Sequence, residues 1–97
     1  MLVLITYDVD MTDATGPRRL RRIAKTCLDH GIRVQYSVFE FDLQPAACEL
    51  LKAKVLDIYD EDKDSLRFYF LGSNWRRRIE HHGAKQAIDL LDDNLIL

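Results

Sequence analysis

An α+β sandwich is the fold class the sequence predicts, an antiparallel sheet with two helices on one face. Three observations point to it. The chain has 97 residues, enough for one small domain and one core. Its hydrophobic pattern changes period along the chain, from short extended runs to apolar residues spaced three and four apart. The runs follow the order strand, helix, one or two strands, helix, strand, strand, tail, with no repeat, low-complexity tract or linker. Two helices interleaved with strands in that order suit a ferredoxin-like sandwich.

The first run is Leu2-Val3-Leu4-Ile5-Thr6-Tyr7-Asp8-Val9-Asp10. Branched apolar residues lead into an aromatic and then a carboxylate, which reads as a buried strand. An acid at its exit end stands at the sheet rim, where chemistry often sits. Asp8 is therefore the leading functional candidate. Residues 11–17 form a loop, and Pro17 suits the first position of a helix. Leu20, Ile23, Ala24, Cys27 and Leu28 then recur at helical spacing. Gly31 is placed to end this helix in the left-handed conformation. Arg18, Arg19, Arg21, Arg22 and Lys25 are expected on the solvent side. Four arginines in the first turns oppose the helix dipole. An anion bound at the helix start would remove the conflict.

Residues 33–43 make the next extended run. Val34, Tyr36 and Val38 alternate with Gln35, Ser37 and Phe39, so both faces carry apolar groups and both are expected to be covered. The run is long for one strand. It is either one strand or two that meet near Tyr36-Ser37, with no Gly or Pro to mark the break. Pro45 opens a second helix with Cys48, Leu51, Val55 and Ile58 as its inner stripe. Residues 60–64 read as a solvated acidic loop. Ser65 to Leu71 alternates, with Leu66, Phe68 and Phe70 on one face and Arg67, Tyr69 and Leu71 on the other. Gly72-Ser73-Asn74 is a turn signal, Trp75 to His82 the returning arm of a hairpin, and Gly83 its end. The apolar tail Leu95-Ile96-Leu97 is expected to dock on a sheet, its own or a partner's. The sheet face away from the helices also carries apolar groups and needs cover. A second copy, sheet face to sheet face, would supply it.

The formal net charge of −2 argues against nucleic acid only if the charge is spread evenly. It is not: one basic cluster spans residues 18–25 and another is Arg76, Arg77 and Arg78, with acids concentrated elsewhere. Such a chain can present a basic surface. No apolar run is long enough for a membrane span. No leader precedes the first strand, so a cytoplasmic protein is expected. Cys27 and Cys48 fall on helical apolar faces and read as two buried thiols in a reducing compartment.

Several residues are candidates for chemistry. A single carboxylate does not hold Mg²⁺ by itself, but two Asp8 side chains related by a two-fold axis could share one ion, Mg²⁺ or Mn²⁺. The ion would activate water against a phosphodiester. The alternative is a strand-end Asp that bonds loop N–H groups. Asp10 and Asp13 are outer partners of that site, a second ligand, or solvated loop acids. Arg18, Arg19 and Arg22 suit bidentate phosphate contact, or line a solvated helix face. Arg77 is a further nucleic-acid contact candidate, in a strand whose arginines alternate between faces, so that no more than two of Arg76, Arg77 and Arg78 share one. Tyr36 and Phe39 either stack on bases or sit in the core, and for Tyr36 the core is expected. Tyr7 is expected in the core with its hydroxyl at the rim, or beside the metal. Ser37 has no His or Lys at a spacing that would make it a nucleophile. His81 and His82 point to opposite faces and are no metal pair.

The opening strand, the Arg-rich first helix, the stretch Arg33-Val34-Gln35-Tyr36-Ser37-Val38-Phe39-Glu40 and the ending Glu80-His81-His82-Gly83-Ala84-Lys85 with Asp93-Asn94-Leu95-Ile96-Leu97 together resemble the small CRISPR-associated adaptation protein family, Cas-two. The ending looks most like members from subtype I-C systems. The resemblance covers essentially the whole chain. It implies a ferredoxin-like domain over residues 1–97, a homodimer with sheets packed face to face, and a C-terminal segment of about 84–97 that packs on the partner protomer. It implies a metal-dependent endonuclease, with Asp8 in the place of the family carboxylate. Arg33 and Phe39 match positions linked to activity. It also implies a partner integrase, Cas-one, and short double-stranded DNA as the bound nucleic acid, with single-stranded RNA as the other substrate class. The competing expectations are a non-catalytic DNA-binding scaffold of the spacer-integration complex, with Asp8 structural, and a regulatory module that senses a small ligand.

Overall fold

The computed structural model describes residues 1–71 and 79–84. Arg77, the turn at 72–74 and the tail beyond Ala84 lie outside the described residues. The elements are β1 (Leu2–Asp8), α1 (Gly16–Leu28), β2 (Ile32–Gln35), β3 (Val38–Asp42), α2 (Pro45–Ile58), β4 (Ser65–Phe70) and β5 (Ile79–Gly83). The run 33–43 thus breaks at Tyr36-Ser37 into a hairpin. A register shift between Arg33 and Gln35 marks the approach to its turn.

One antiparallel sheet forms in the order β2-β3-β1-β4-β5. The first four strands have the split β-α-β arrangement of ferredoxin-like sandwiches, and β5 extends the edge. β1 lies between β3 and β4, with Ile5 opposite Phe39 on one side and Phe68 on the other. Alternation then sorts its side chains. Val3, Ile5 and Tyr7 point to the helices and are buried, together with Phe39 and Phe41 of β3 and Leu66, Phe68 and Phe70 of β4. Ile23 and Cys27 of α1 and Cys48, Leu51 and Val55 of α2 close the core from above. Burial pushes the Cys27 thiol up to about 12 and raises Cys48 as well, so neither is a reactive thiolate. Both are free and buried, as the sequence predicts.

The opposite sheet face carries Leu4 across from Glu40 and Tyr69, and Thr6 across from Val38 and Arg67. These positions mix apolar and polar groups. On the helix face, Lys52 donates from Nζ to Glu80 at 3.0 Å and ties α2 to the edge strand β5.

Gly31 corrects an expectation. α1 ends earlier, with Asp29 at its C-cap in right-handed conformation. Among the described residues Gly83 is the glycine at positive φ. Gly31 is small because a Cβ there would collide with the Phe41 ring and lie 2.5 Å from the Glu40 carbonyl oxygen. Gly31→Ala is expected to lower stability by about 1–3 kcal/mol, the usual cost of overpacking. A thermal melt unchanged from the parent would contradict this close approach.

Candidate nucleic-acid and metal site

Four segments meet at one end of the sheet: the exit of β1, the β2–β3 turn, the start of β4 and the end of β5. Asp8 is exposed there as the last residue of β1, in register with Ser65. The backbone around it is fixed from both sides. Tyr7 N donates to the Ser37 carbonyl at 3.1 Å, and the Tyr7 hydroxyl donates to the Tyr36 carbonyl at 3.2 Å. Beyond Asp8, Val9 returns to the core and Asp10 N donates to Asp64 Oδ1 at 2.9 Å.

Asp64 is the centre of this end and it overturns one sequence reading. The acidic loop is not solvated throughout, because Asp64 is fully buried. Arg19 reaches it with Nε at 2.7 Å and Nη2 at 3.2 Å, and Asp60 N adds a bond at 2.9 Å. Burial pushes the Asp64 carboxyl up. The hydrogen bonds from Arg19 and from the N–H groups of Asp60 and Asp10 outweigh that and hold it below the usual carboxylate range. The Asp64 carbonyl in turn accepts from Ala84 N at 2.9 Å. Gly83, at φ +123°, passes so close that a Cβ would strike that carbonyl.

Arg19 is accordingly corrected. It was expected on the solvent side as a phosphate contact, but only 8% of it is exposed and its guanidinium is committed to Asp64. Nη1 also donates to Thr15 Oγ1 at 2.5 Å and lies 3.5 Å from Asp13. The dipole conflict at the start of α1 is resolved inside the chain. Asp13 Oδ1 accepts from Gly16 N at 2.8 Å and Thr15 N at 2.9 Å, and Asp13 Oδ2 pairs with Lys63 at 2.7 Å. Lys63 and these donors hold the Asp13 carboxyl well below its ordinary value. The anion that the helix start calls for is therefore Asp13. Asp10 is used locally as well: its Oδ1 accepts from Thr12 N at 2.9 Å and Thr12 Oγ1 at 2.6 Å.

Arg18, Arg21 and Arg22 remain exposed on α1, as expected. Arg33 is also exposed, with its guanidinium 5.0 Å from the centre of the Phe39 ring. Phe39 is fully buried and stacks on Tyr7, with ring centres 6.0 Å apart. Phe39 therefore does not face a ligand; the core fixes it, and it holds Arg33 by a cation–π contact. Burial raises the pKa of the Tyr7 hydroxyl, and Arg33 beside it opposes the rise. Tyr36 overturns its expectation in the other direction. It is 89% exposed, not core. With Arg33, Val34, Gln35, Ser37 and Val38 it lines an open cleft of about 690 Å³.

The histidines separate as predicted. His82 faces the helices, edge-on to Phe68 and 3.5 Å from Glu80, whereas His81 pairs with Arg67 on the other face. Among the described residues no three His, Cys, Asp or Glu side chains come together as a metal site. Among the described residues no helix is long and apolar enough to cross a membrane.

The family model for CRISPR associated protein Cas2 matches residues 1–79. A protein of Chlorobaculum tepidum named CRISPR-associated endoribonuclease Cas2 is 58% identical over 97 residues, the full length of both chains. A protein of the same name from Nitratidesulfovibrio vulgaris is 60% identical over 89 residues, 92% of this chain and 87% of its own. The crystal structure of Streptococcus pyogenes Cas2 at pH 6.5 superposes with a TM-score of 0.69 at 51% identity, covering 82% of this chain and 96% of that one.

Proposed function

Because the chain belongs to the CRISPR-associated Cas2 family, we propose that it acts in CRISPR adaptation as a homodimeric, divalent-metal-dependent endonuclease. Asp8 is its metal ligand and catalytic residue. The observation that carries this reading is the position of Asp8. It is an exposed carboxylate at the exit of the central strand, at the sheet end where the β2–β3 turn, the start of β4 and the end of β5 meet.

The donor chemistry fits half of a Mg²⁺ or Mn²⁺ site. Mg²⁺ takes six oxygens, usually one or two carboxylates with water and substrate phosphate. One Asp8 from each protomer would meet that need, which ties catalysis to the dimer. When bound, the ion supplies charge neutralisation and an activated water. The protein's own cations, Arg18, Arg22 and Arg33, hold the nucleic-acid backbone. Phe39 and Tyr7 keep Arg33 in place. The mixed apolar face built from Leu4, Val38 and Tyr69 supports sheet-to-sheet pairing of two copies.

The reading includes phosphodiester cleavage in double-stranded DNA or in single-stranded RNA; the two relatives above carry the name endoribonuclease. It places the dimer with the Cas-one integrase in the cytoplasm, and the closing motifs support subtype I-C. The deciding experiment is cleavage of both substrates with Mg²⁺ or Mn²⁺ by the parent and by Asp8→Asn. Loss of cleavage with retained duplex binding supports the enzyme. A parent that binds duplex but never cuts supports the alternative, a non-catalytic scaffold in which Asp8 is structural. That alternative draws on the single carboxylate that each protomer offers.

Duplex binding should be steeply salt-dependent. Arg18→Ala and Arg22→Ala are each expected to reduce the slope of log K against log salt by about one, because each phosphate contact releases about one counterion. Slopes equal to the parent's would remove α1 from the interface.

A further inference from the structure

The β2–β3 turn carries a group that the site described above does not use. Tyr36 projects its ring into solvent with 89% of the residue exposed, although its neighbours Phe39 and Phe41 are buried. An aromatic this exposed is usually held loosely, but here the backbone beneath it is pinned. The Tyr36 carbonyl accepts from the Tyr7 hydroxyl, and the Ser37 carbonyl accepts from Tyr7 N. Both bonds tie the turn to the central strand one residue before Asp8. The register shift between Arg33 and Gln35 re-aims the strand just before the turn. Arg33 lines the same open cleft, and its guanidinium is oriented by the buried Phe39 ring.

An exposed aromatic face on a turn whose backbone is pinned, beside an oriented cation, matches the two parts of a nucleotide, a π-face and a phosphate. Duplex bases hide their faces in the stack, whereas an unpaired base can lie on a tyrosine. We propose that Tyr36 and Arg33 form a subsite for one unpaired nucleotide of single-stranded RNA or DNA, with the base on the Tyr36 ring and the phosphate on Arg33. This rests on the reading of the chain as a nucleic-acid-binding protein and adds to it the class of strand that the cleft accepts. Charge complementarity favours this occupant over a protein partner, since α1, which packs beside β2, exposes Arg18, Arg21 and Arg22.

The test is binding of short labelled oligonucleotides in EDTA, so that cleavage plays no part. Single-stranded RNA, single-stranded DNA and a blunt duplex are compared for the full-length parent, Tyr36→Phe and Tyr36→Ala. Tyr36→Ala is expected to weaken both single strands about tenfold, in line with the stacking of one base. Tyr36→Phe should keep parental affinity, and the duplex should bind all three proteins alike. A weakening confined to RNA would assign the subsite to ribonucleotides. Equal single-strand binding by Tyr36→Ala and parent overturns the proposal. So does an equal loss for duplex, or a changed oligomeric state in sedimentation, which would make this turn a protein interface. The nuclease reading fails separately, if Asp8→Asn cuts like the parent; the subsite then still stands on its binding data.

Discussion

Asp8→Asn is expected to lower Mg²⁺-dependent cleavage by about a hundredfold or more, since loss of even an outer-shell partner of a metal costs about 10–100-fold. The fold should be untouched. Asp8 is exposed at a strand end, and the backbone on either side of it is held by Tyr7 through the β2–β3 turn and by Asp10 N through Asp64. Substitution to Asn keeps size and hydrogen-bonding shape but removes the charge that a hard cation requires. Cleavage at rising Mg²⁺ concentration separates the possible causes. A loss that high Mg²⁺ partly restores marks a weakened ligand. Parental cleavage at all concentrations would exclude Asp8 as the ligand. Sedimentation of the variant should match the parent.

Asp64→Ala should have the largest effect on stability. It removes a fully buried carboxylate that accepts from Arg19 Nε and Nη2 and from the N–H groups of Asp10 and Asp60. Removing one partner of a buried pair costs about 3–5 kcal/mol. At the lower figure the melting temperature of a domain this size falls by about 12–24 °C. The sign with pH follows from the depressed carboxyls. Asp64 and Asp13 both titrate below the ordinary carboxylate range in the folded chain. Their contribution is complete above the unfolded-state pKa, near 4, and is lost as pH falls toward the folded values. The parent should therefore lose stability in acid, and Asp64→Ala should lose less between about pH 5 and pH 2. A variant with the parent's acid profile would show that Asp64 does not carry this term.

The strands, both helices and the exposed Asp8 were legible because hydrophobic period reports which face is buried. The break at Tyr36-Ser37 was legible only as an alternative, since the turn uses neither Gly nor Pro. Arg19 was misread although the signal was present. It precedes Ile23 and Cys27 by four and eight residues, which puts it on the apolar stripe of α1. An arginine on that stripe must find an acid inside, and Asp64 immediately before β4 is at the correct sheet end. The two are 45 positions apart, so no local pattern joins them. Tyr36 was misread because alternation assigns a face only within a strand, and this residue sits in the turn. Phe39 was open between base stacking and the core; its burial decides for the core and gives it an indirect part through Arg33.

Asp64 also has a consequence for the order of assembly. The bonds that lock the exit of β1 and the start of α1 reach across 54 and 45 positions to this one residue. Contacts of such separation form late, after the loop-closure entropy between them has been met. During synthesis, at about 5–20 residues per second, the first helix and the hairpin emerge before their anchor does. A nascent chain that stops short of β4 therefore carries Asp8 and the exposed arginines without the frame built on Asp64, and the Asp8 end of the sheet is complete only when the second half of the protein has been made.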